Sequence, residues 1–430
     1  MFQYKLFTTF LKTKAGQSIL CFLKNKKCNL GISMLKEWIE KDNIVNAPTY
    51  NFIGQSCIEQ LPYLLKKYPY IQKALVVTTE GMDRFPAFID TVNIIKKATV
   101  EVETYTSLKA NPSVKNVNEI VGKYKANNCN CLVAIGGGSA HDAVKAVGLA
   151  MANNKELMQY QGINATNKRA VLKIHVNTTA GTGAEVTNCI VITDTDTHRK
   201  FVIADKYLTP DITFNDPNMM LELPSSITAF TGVDALVHAI EAYLSNDYDV
   251  QAKVYALEAM HLIFKYLPIA CHEPENVEAR ENMCYAQYLA GLAFNITSLG
   301  VIHALSHPLT ANFGTPHGLA NAMLLSNVLE YELRYDKVVK LLNRIAWSFH
   351  IKGTDARQNC KVFISKINSL LREINIPTNL EIKDHLTLTE DELDTLTEQA
   401  IIDFTQISNP IRFSRKELKD IYYYAMKGSK

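Results

Sequence analysis

The stretch LVAIGGGSAHDAVKAVGLAM, residues 132–151, decides the fold. Its first four residues are a short continuous apolar run, as a strand buried on both faces requires, and they lead straight into Gly136-Gly137-Gly138-Ser139. Residues 141–151 then read as a helix. Glycines between a strand end and a helix start let a phosphate approach the backbone, where free N–H groups and the helix dipole favour negative charge. The same residues also suit a plain tight turn, and they are not the GxGxxG dinucleotide fingerprint. Asp142 is either a cap for the new helix or a group facing a bound cofactor, and His141 reads as a partly exposed helix residue.

The same alternation extends on both sides. Residues 74–78 (ALVVT) form a second buried strand, followed by a helical stretch through 94–96. Residues 171–176 form another strand, ending in NTTAGTG at 177–183. Residues 190–193 and 201–204 flank 194–200, which reads as a β-hairpin turn. Strands alternating with helices predict an open, Rossmann-like parallel sheet covered on both faces. Ligands of such sheets gather at the strand C-terminal ends, so two glycine- and threonine-containing loops there predict a nucleotide site. From about Pro224 the strand signal gives way to apolar residues at three- and four-residue spacing, over 234–244, 254–266, 278–294, 338–349 and 359–374. The reading is therefore an α/β dinucleotide-binding domain at 46–223, an all-helical metal-binding domain at 224–430, and a basic extension at 1–45.

Composition bounds the function. The chain has 430 residues, 47% hydrophobic and 20% charged, which fits a soluble globular protein. Its 45 basic and 43 acidic residues give +2, which offers no global attraction to nucleic acid or anionic membrane. No apolar run approaches the ~20 residues needed to cross a bilayer. Nine cysteines without framework spacing, including the close pair Cys129 and Cys131, read as reduced, mostly buried thiols in a cytoplasmic protein. The first 36 residues carry seven lysines, no arginine and no acidic residue. They are either a disordered extension or a targeting segment for a mitochondrion or related organelle.

Two segments of the helical half carry chemistry. In TGVDALVHAIE (231–241), Asp234 and His238 are spaced i, i+4 and share one helix face. In HALSHPLTANFGTPHG (303–318), His303 opens a helical stretch and His317 follows the turn-like Gly314-Thr315-Pro316. Two helices and a loop can thus converge on one divalent ion, leaving an open position for a substrate oxygen. A cation also removes the cost of burying an unpaired carboxylate in an apolar helix. His307 shares the face of His303 and suits proton relay beside the metal, while Glu241 suits an acceptor behind a ligand.

Together, GGGS, TTAGTGAEVT, TGVDALVHAIE and HALSHPLTANFGTPHGLANA resemble the iron-dependent (group III) alcohol dehydrogenases, in the branch of lactaldehyde reductase and the propanediol and butanol dehydrogenases. The resemblance runs from about Tyr50 to the C-terminus. It implies metal binding by Asp234, His238, His303 and His317, with Fe2+ or Zn2+ as the ion and His307 as the catalytic histidine beside it. It implies NAD(P) contacts at Asn111, Gly137, Gly138, Ser139, Asp142, Thr178, Thr179, Thr182, Thr187 and Lys200. Thr79 stands where many NAD-dependent members have Asp, which favours NADP, although the adjacent Glu80 could restore NAD preference. Asn177, Thr310 and Ser326 replace a usual Pro, Gly and Pro, changes expected to alter loop shape. The implied activity is reversible hydride transfer between a small alcohol or aldehyde and NAD(P), in a homo-oligomer without nucleic-acid or membrane partners. A hydroxyacid–oxoacid transhydrogenase of the same family is the alternative activity, and a nucleotide-binding protein without catalysis is the non-enzymatic one.

Overall fold

The computed structural model describes residues 47–153, 156–163, 166, 168, 170–195, 199–380 and 388–427. The basic extension at 1–45 and the tip of the predicted hairpin turn at 196–198 lie outside the described residues.

The first half is a parallel sheet with its connections. In chain order it contains β1 (Tyr50–Ile53), α1 (Leu61–Leu65), β2 (Lys73–Thr79), α2 (Pro86–Lys97), β3 (Glu101–Leu108), α3 (Val114–Ala126), β4 (Cys131–Gly136), α4 (Gly138–Ala152), β5 (Gly162–Ile163), β6 (Lys173–Asn177), β7 (Cys189–Asp194), β8 (Arg199–Ala204) and β9 (Ile212–Asn215). Six strands pair in the order β1-β9-β6-β4-β2-β3, every pair parallel. From β2 the chain goes one way to β3, then returns past β2 to β4 and continues the other way. The topological switch therefore lies between the C-terminal ends of β2 and β4, where open α/β sheets bind ligands. The Thr78 hydroxyl donates to the Ile135 carbonyl at 2.7 Å and ties those two ends together.

Every residue of β4 is buried, as its unbroken apolar run requires. The strand expected at 171–176 begins at Lys173, whose backbone N–H donates to Asp211 Oδ2 at 2.9 Å. The hairpin is present: β7 and β8 pair antiparallel, in a separate three-stranded sheet with β5.

The second half is helical: α5 (Ser225–Leu244), α6 (Val250–His272), α7 (Val277–Thr297), α8 (Val301–Phe313), α9 (His317–Glu332), α10 (Asp336–Ser348), α11 (Ala356–Glu373), α12 (Glu390–Ile401) and α13 (Arg415–Lys427). Two of them correct the expectation from apolar run length. Helices α5 and α6 are long and apolar enough to cross a membrane, each with mean hydropathy 1.2 over its most apolar window. The window of α5 is 83% buried inside the protein and that of α6 50%, so packing against α7 and α9 accounts for the apolarity of α5. The sequence reading missed this because Asp234, His238 and Glu241 interrupt α5 at helical intervals.

Candidate metal centre and nucleotide-binding loops

Helix α5 presents Asp234 and His238 one turn apart, and both are buried. Helix α8 adds His303, also buried. His317 is not on a loop, as expected, but is the first residue of α9. Pro316, with φ −52° and ψ 132°, is the N-cap and starts the helix there, because proline's fixed φ and missing N–H suit a helix start. Three helices thus meet at one point.

Asp234 Oδ1 lies 3.6 Å from His238 Nε2, 3.7 Å from His303 Nε2 and 3.6 Å from His317 Nε2. Ligands held about 2.1–2.2 Å from one tetrahedral ion stand about 3.4–3.6 Å apart, so the distances from Asp234 match a metal's coordination edges. The ligand atoms of Asp234, His238 and His303 all lie within 4.8 Å of one another, a group that does not take in His317, which approaches from the Asp234 side. The Asn321 amide nitrogen sits among the same atoms, 2.7 Å from Asp234 Oδ1, 3.1 Å from His303 Nε2 and 3.2 Å from His317 Nε2. A partial positive charge is therefore stabilised where the lone pairs converge, and the donor set fits a divalent cation.

The groups behind the ligands fix them. His303 Nδ1 lies 2.6 Å from Glu241 Oε2, and a carboxylate can only accept there, so Nε2 is the nitrogen presented to the site. Glu241 Oε1 also accepts the backbone N–H of Ile302 at 2.7 Å. The acceptor role expected for Glu241 is what the structure shows, toward His303. Burial pushes the Asp234 carboxyl up, but the facing His238, His317 and His303 imidazoles more than offset it and hold it well below the usual range. Burial lowers His238 to about 4, which keeps it in the neutral form a metal requires. Burial likewise opposes the charged form of His303, yet Glu241 and Asp234 raise it to about 9, so a cation bound at Nε2 would displace the proton held there.

His307 is not in the convergent set. Its ring stacks on His317 with centroids 5.4 Å apart and meets His303 edge-on at 5.8 Å. Its Nδ1 lies 2.8 Å from Asp403 Oδ2. Burial pushes the Asp403 carboxyl up, but His307 and Thr405 pull it down to about 2. Neither Asp403 nor Asn321 was found from the sequence. Asp403 lies far along the chain from His307, and its only local signal is an Asp before a short turn.

The expected nucleotide residues fall into groups. The Asn111 backbone N–H donates to Ser139 Oγ at 3.2 Å, and Lys200 Nζ donates to Asn111 Oδ1 at 2.9 Å. Gly137 and Gly138 face the second loop closely: a methyl on Gly137 would lie 2.9 Å from Thr179 Oγ1, and one on Gly138 3.1 Å from Thr182 Cγ2. Thr178 and Thr187 are buried, and the Thr187 hydroxyl accepts from Lys145 Nζ at 3.2 Å. Asp142 is not the helix cap. Gly137 holds the N-cap position of α4, and Asp142 Oδ2 accepts the Val191 N–H at 3.0 Å, joining α4 to β7. His141, expected to be partly exposed, is fully buried and stacks on His175 at 4.8 Å. Helix α4 is packed against several strands rather than presenting one wet face. Of the three residues expected to reshape loops, only Asn177 leads into one; Thr310 and Ser326 are buried inside α8 and α9.

The second loop also reaches the metal ligands. A methyl on Gly181 would lie 2.7 Å from the Thr231 carbonyl oxygen, so the loop backbone rests directly on α5, one turn before Asp234. The loop after β6 and the helix that carries Asp234 and His238 therefore lie directly against each other.

Known proteins share this fold. The iron-containing alcohol dehydrogenase profile matches residues 48–217, and that of the C-terminal part of the Fe-containing alcohol dehydrogenase family matches 228–426. Alcohol dehydrogenase 4 of Schizosaccharomyces pombe is 35% identical, over 88% of this chain and 88% of its own. The crystal structure of a 1,3-propanediol oxidoreductase superposes with a TM-score of 0.84 at 35% identity, covering 88% of this chain and 98% of that one. A sulfoacetaldehyde reductase from Bifidobacterium kashiwanohense, solved in complex with NAD+, gives 0.79 at 28% identity, covering 88% and 97%. The chain belongs to the iron-containing alcohol dehydrogenase family, enzymes of oxidoreduction at a CH–OH carbon.

Proposed function

We propose that the protein interconverts small alcohols and their aldehydes, with iron(II) held by Asp234, His238, His303 and His317, and with NAD(P) lying along the strand-end loops. The observation that carries this reading is the seating of the 178–183 loop on α5 through Gly181 and Thr231, beside the convergent ligands. When bound, the cation supplies Lewis acidity to a substrate oxygen and the nicotinamide supplies the hydride partner.

The chain's own residues prepare that chemistry. Glu241 orients His303, and Asp234 provides the one negative charge among the ligands. Free N–H groups at the start of α4, with Asn111, Ser139 and Lys200 beside them, suit a pyrophosphate. The ring of Phe294 packs 4.5 Å from that of His238 and helps to bury that ligand. At the end of β2, Thr79 brings no fixed negative charge, which supports acceptance of a 2′-phosphate and hence of NADP.

The test is anaerobic loading of the full chain with Fe2+ or Zn2+, then reduction of small aldehydes with NADH and NADPH side by side. Turnover with the iron-loaded protein is expected, with NADPH used at least as well as NADH. His303→Ala is expected to lose both bound metal and turnover; full metal content and normal rates in that variant would overturn the proposal.

A further inference from the structure

Helix α4 hides a charge. From Ala140 to Leu149 every residue but Asp142 is buried, and in this largely apolar run Lys145 is 0% exposed. Its ammonium reaches the start of β7, where Nζ donates to Thr187 Oγ1 at 3.2 Å and to the Cys189 carbonyl at 3.0 Å. The third partner is Asp142 Oδ1, 3.9 Å away and one turn back on the same helix. The first two contacts would explain a donor that staples α4 to β7, and a neutral amide could supply them. They do not explain a full charge, because burying an ammonium costs far more than burying an amide. Burial opposes the charged form of Lys145, and Asp142 and Glu185 are among the groups that favour it. In return Lys145 leads the groups that oppose the upward push of burial on Asp142, and it acts the same way on the fully buried Glu185. These two carboxylates belong to the two strand-end loops: Asp142 lies in the second turn of α4, and Glu185 follows Gly183 by two residues. Without a buried cation, both would repel phosphates held at the loop N–H groups.

We propose that Lys145 is a positioning residue for the dinucleotide: its buried charge holds Asp142 and offsets the two carboxylates behind the strand-end loops, so that the loop N–H groups meet a pyrophosphate without repulsion from beneath. The inference rests on the nucleotide reading above and adds to it a residue that touches no ligand. Lys145 acts through Asp142 and Glu185, so removing an offending carboxylate should make the lysine dispensable. A staple between α4 and β7 would not behave in this way, because its loss leaves the Cys189 carbonyl and the Thr187 hydroxyl short of a donor whatever stands at position 142.

Two substitutions separate charge from hydrogen bonding. Lys145→Met removes both, whereas Lys145→Gln keeps an N–H donor and removes only the charge. The Zn2+-loaded full chain is titrated calorimetrically with NADH and with NADPH at about pH 7.5, above the value of about 6 to which Asp142 is raised. In both variants Kd is expected to rise about tenfold, the order expected when one charge leaves a partly buried site, with metal content unchanged. Adding Asp142→Asn, whose Oδ1 can still accept the Val191 N–H, should return the Lys145→Gln protein to within about threefold of Asp142→Asn alone. Should Lys145→Met not fold, Lys145→Gln decides. A Kd within about threefold of wild type in Lys145→Gln, a double variant still about tenfold weaker than Asp142→Asn, or loss of metal in step with affinity overturns the proposal. If the wild type binds neither dinucleotide, the nucleotide reading falls and takes this inference with it; binding that ignores the Lys145 variants overturns this inference alone.

Discussion

Gly318 follows His317, and its Cα faces the backbone of α5. A methyl there would lie 2.7 Å from the Phe230 carbonyl carbon and closer still to its oxygen, with Asp234 Cβ at 3.4 Å. Neither partner is a flexible side chain, so Gly318→Ala must push the start of α9, and His317 with it, away from Asp234. Overpacking of this kind costs about 1–3 kcal/mol. We expect a lower Tm together with iron occupancy reduced several-fold at equal Fe2+, measured by metal analysis after dialysis; full occupancy would show that α9 can tilt without moving its histidine. At this scale the spacing alone was decisive where chemistry coincided with periodicity. Asp234 and His238 are one helical turn apart, so they share a face whatever the rest of the chain does. Asn321 and Asp403 act through contacts that depend on how α8, α9 and the 401–409 segment dock, and an amide or a carboxylate in a helix or turn carries no such signature.

The loop after β6 shows how an element is shaped by a single side chain. The Asn177 side-chain carbonyl accepts the Thr179 N–H at 3.1 Å, an Asx turn, while its amide donates to Asn215 Oδ1 at 2.8 Å, at the end of β9. Gln287 on α7 donates to the same Asn215 oxygen at 3.0 Å and to Glu185 at 2.6 Å. Asn177 thus fixes the loop that faces Gly137 and Gly138. Asn177→Ala removes the Asx turn, worth about 0.5–1.5 kcal/mol net, so NAD(P) affinity should weaken by up to about tenfold. Metal content should not change; equal cofactor affinity by titration calorimetry would show that the loop holds its shape unaided. Among the elements, β4 and α4 were legible because an unbroken apolar run bounded by glycines has few other readings. Strands β1 and β9 are four residues each, too short for a period to register, and β3 carries Glu101, Glu103 and three threonine or serine residues that dilute its alternation. Their pairing is settled by the sheet, not by local preference.

For the molecule as a whole, a buried acid links the end of α9 to the start of α8. Glu332, at the end of α9, is 2% exposed and accepts from Asn409 Nδ2 at 2.9 Å; Asn409 Oδ1 in turn accepts the Val301 N–H at the start of α8. Burial pushes the Glu332 carboxyl up to about 8, the Asn409 hydrogen bond opposes this, and the Glu241 charge adds to it. The native chain therefore keeps a proton that the unfolded chain releases near pH 4.5. Between these two values the folded state binds more protons, so stability falls as pH rises from about 4.5 to about 8, and above that the loss is complete. Glu332→Gln keeps an acceptor for Asn409 and removes the ionisation. Other groups titrate in the same window, so the informative quantity is the difference between variant and wild type. In urea melts that gap should grow in favour of Glu332→Gln by on the order of 1 kcal/mol per pH unit between pH 5 and 8. Parallel pH profiles would mean that Glu332 ionises in place and that the charge is absorbed by the Asn409 network without weakening the contact between α8 and α9.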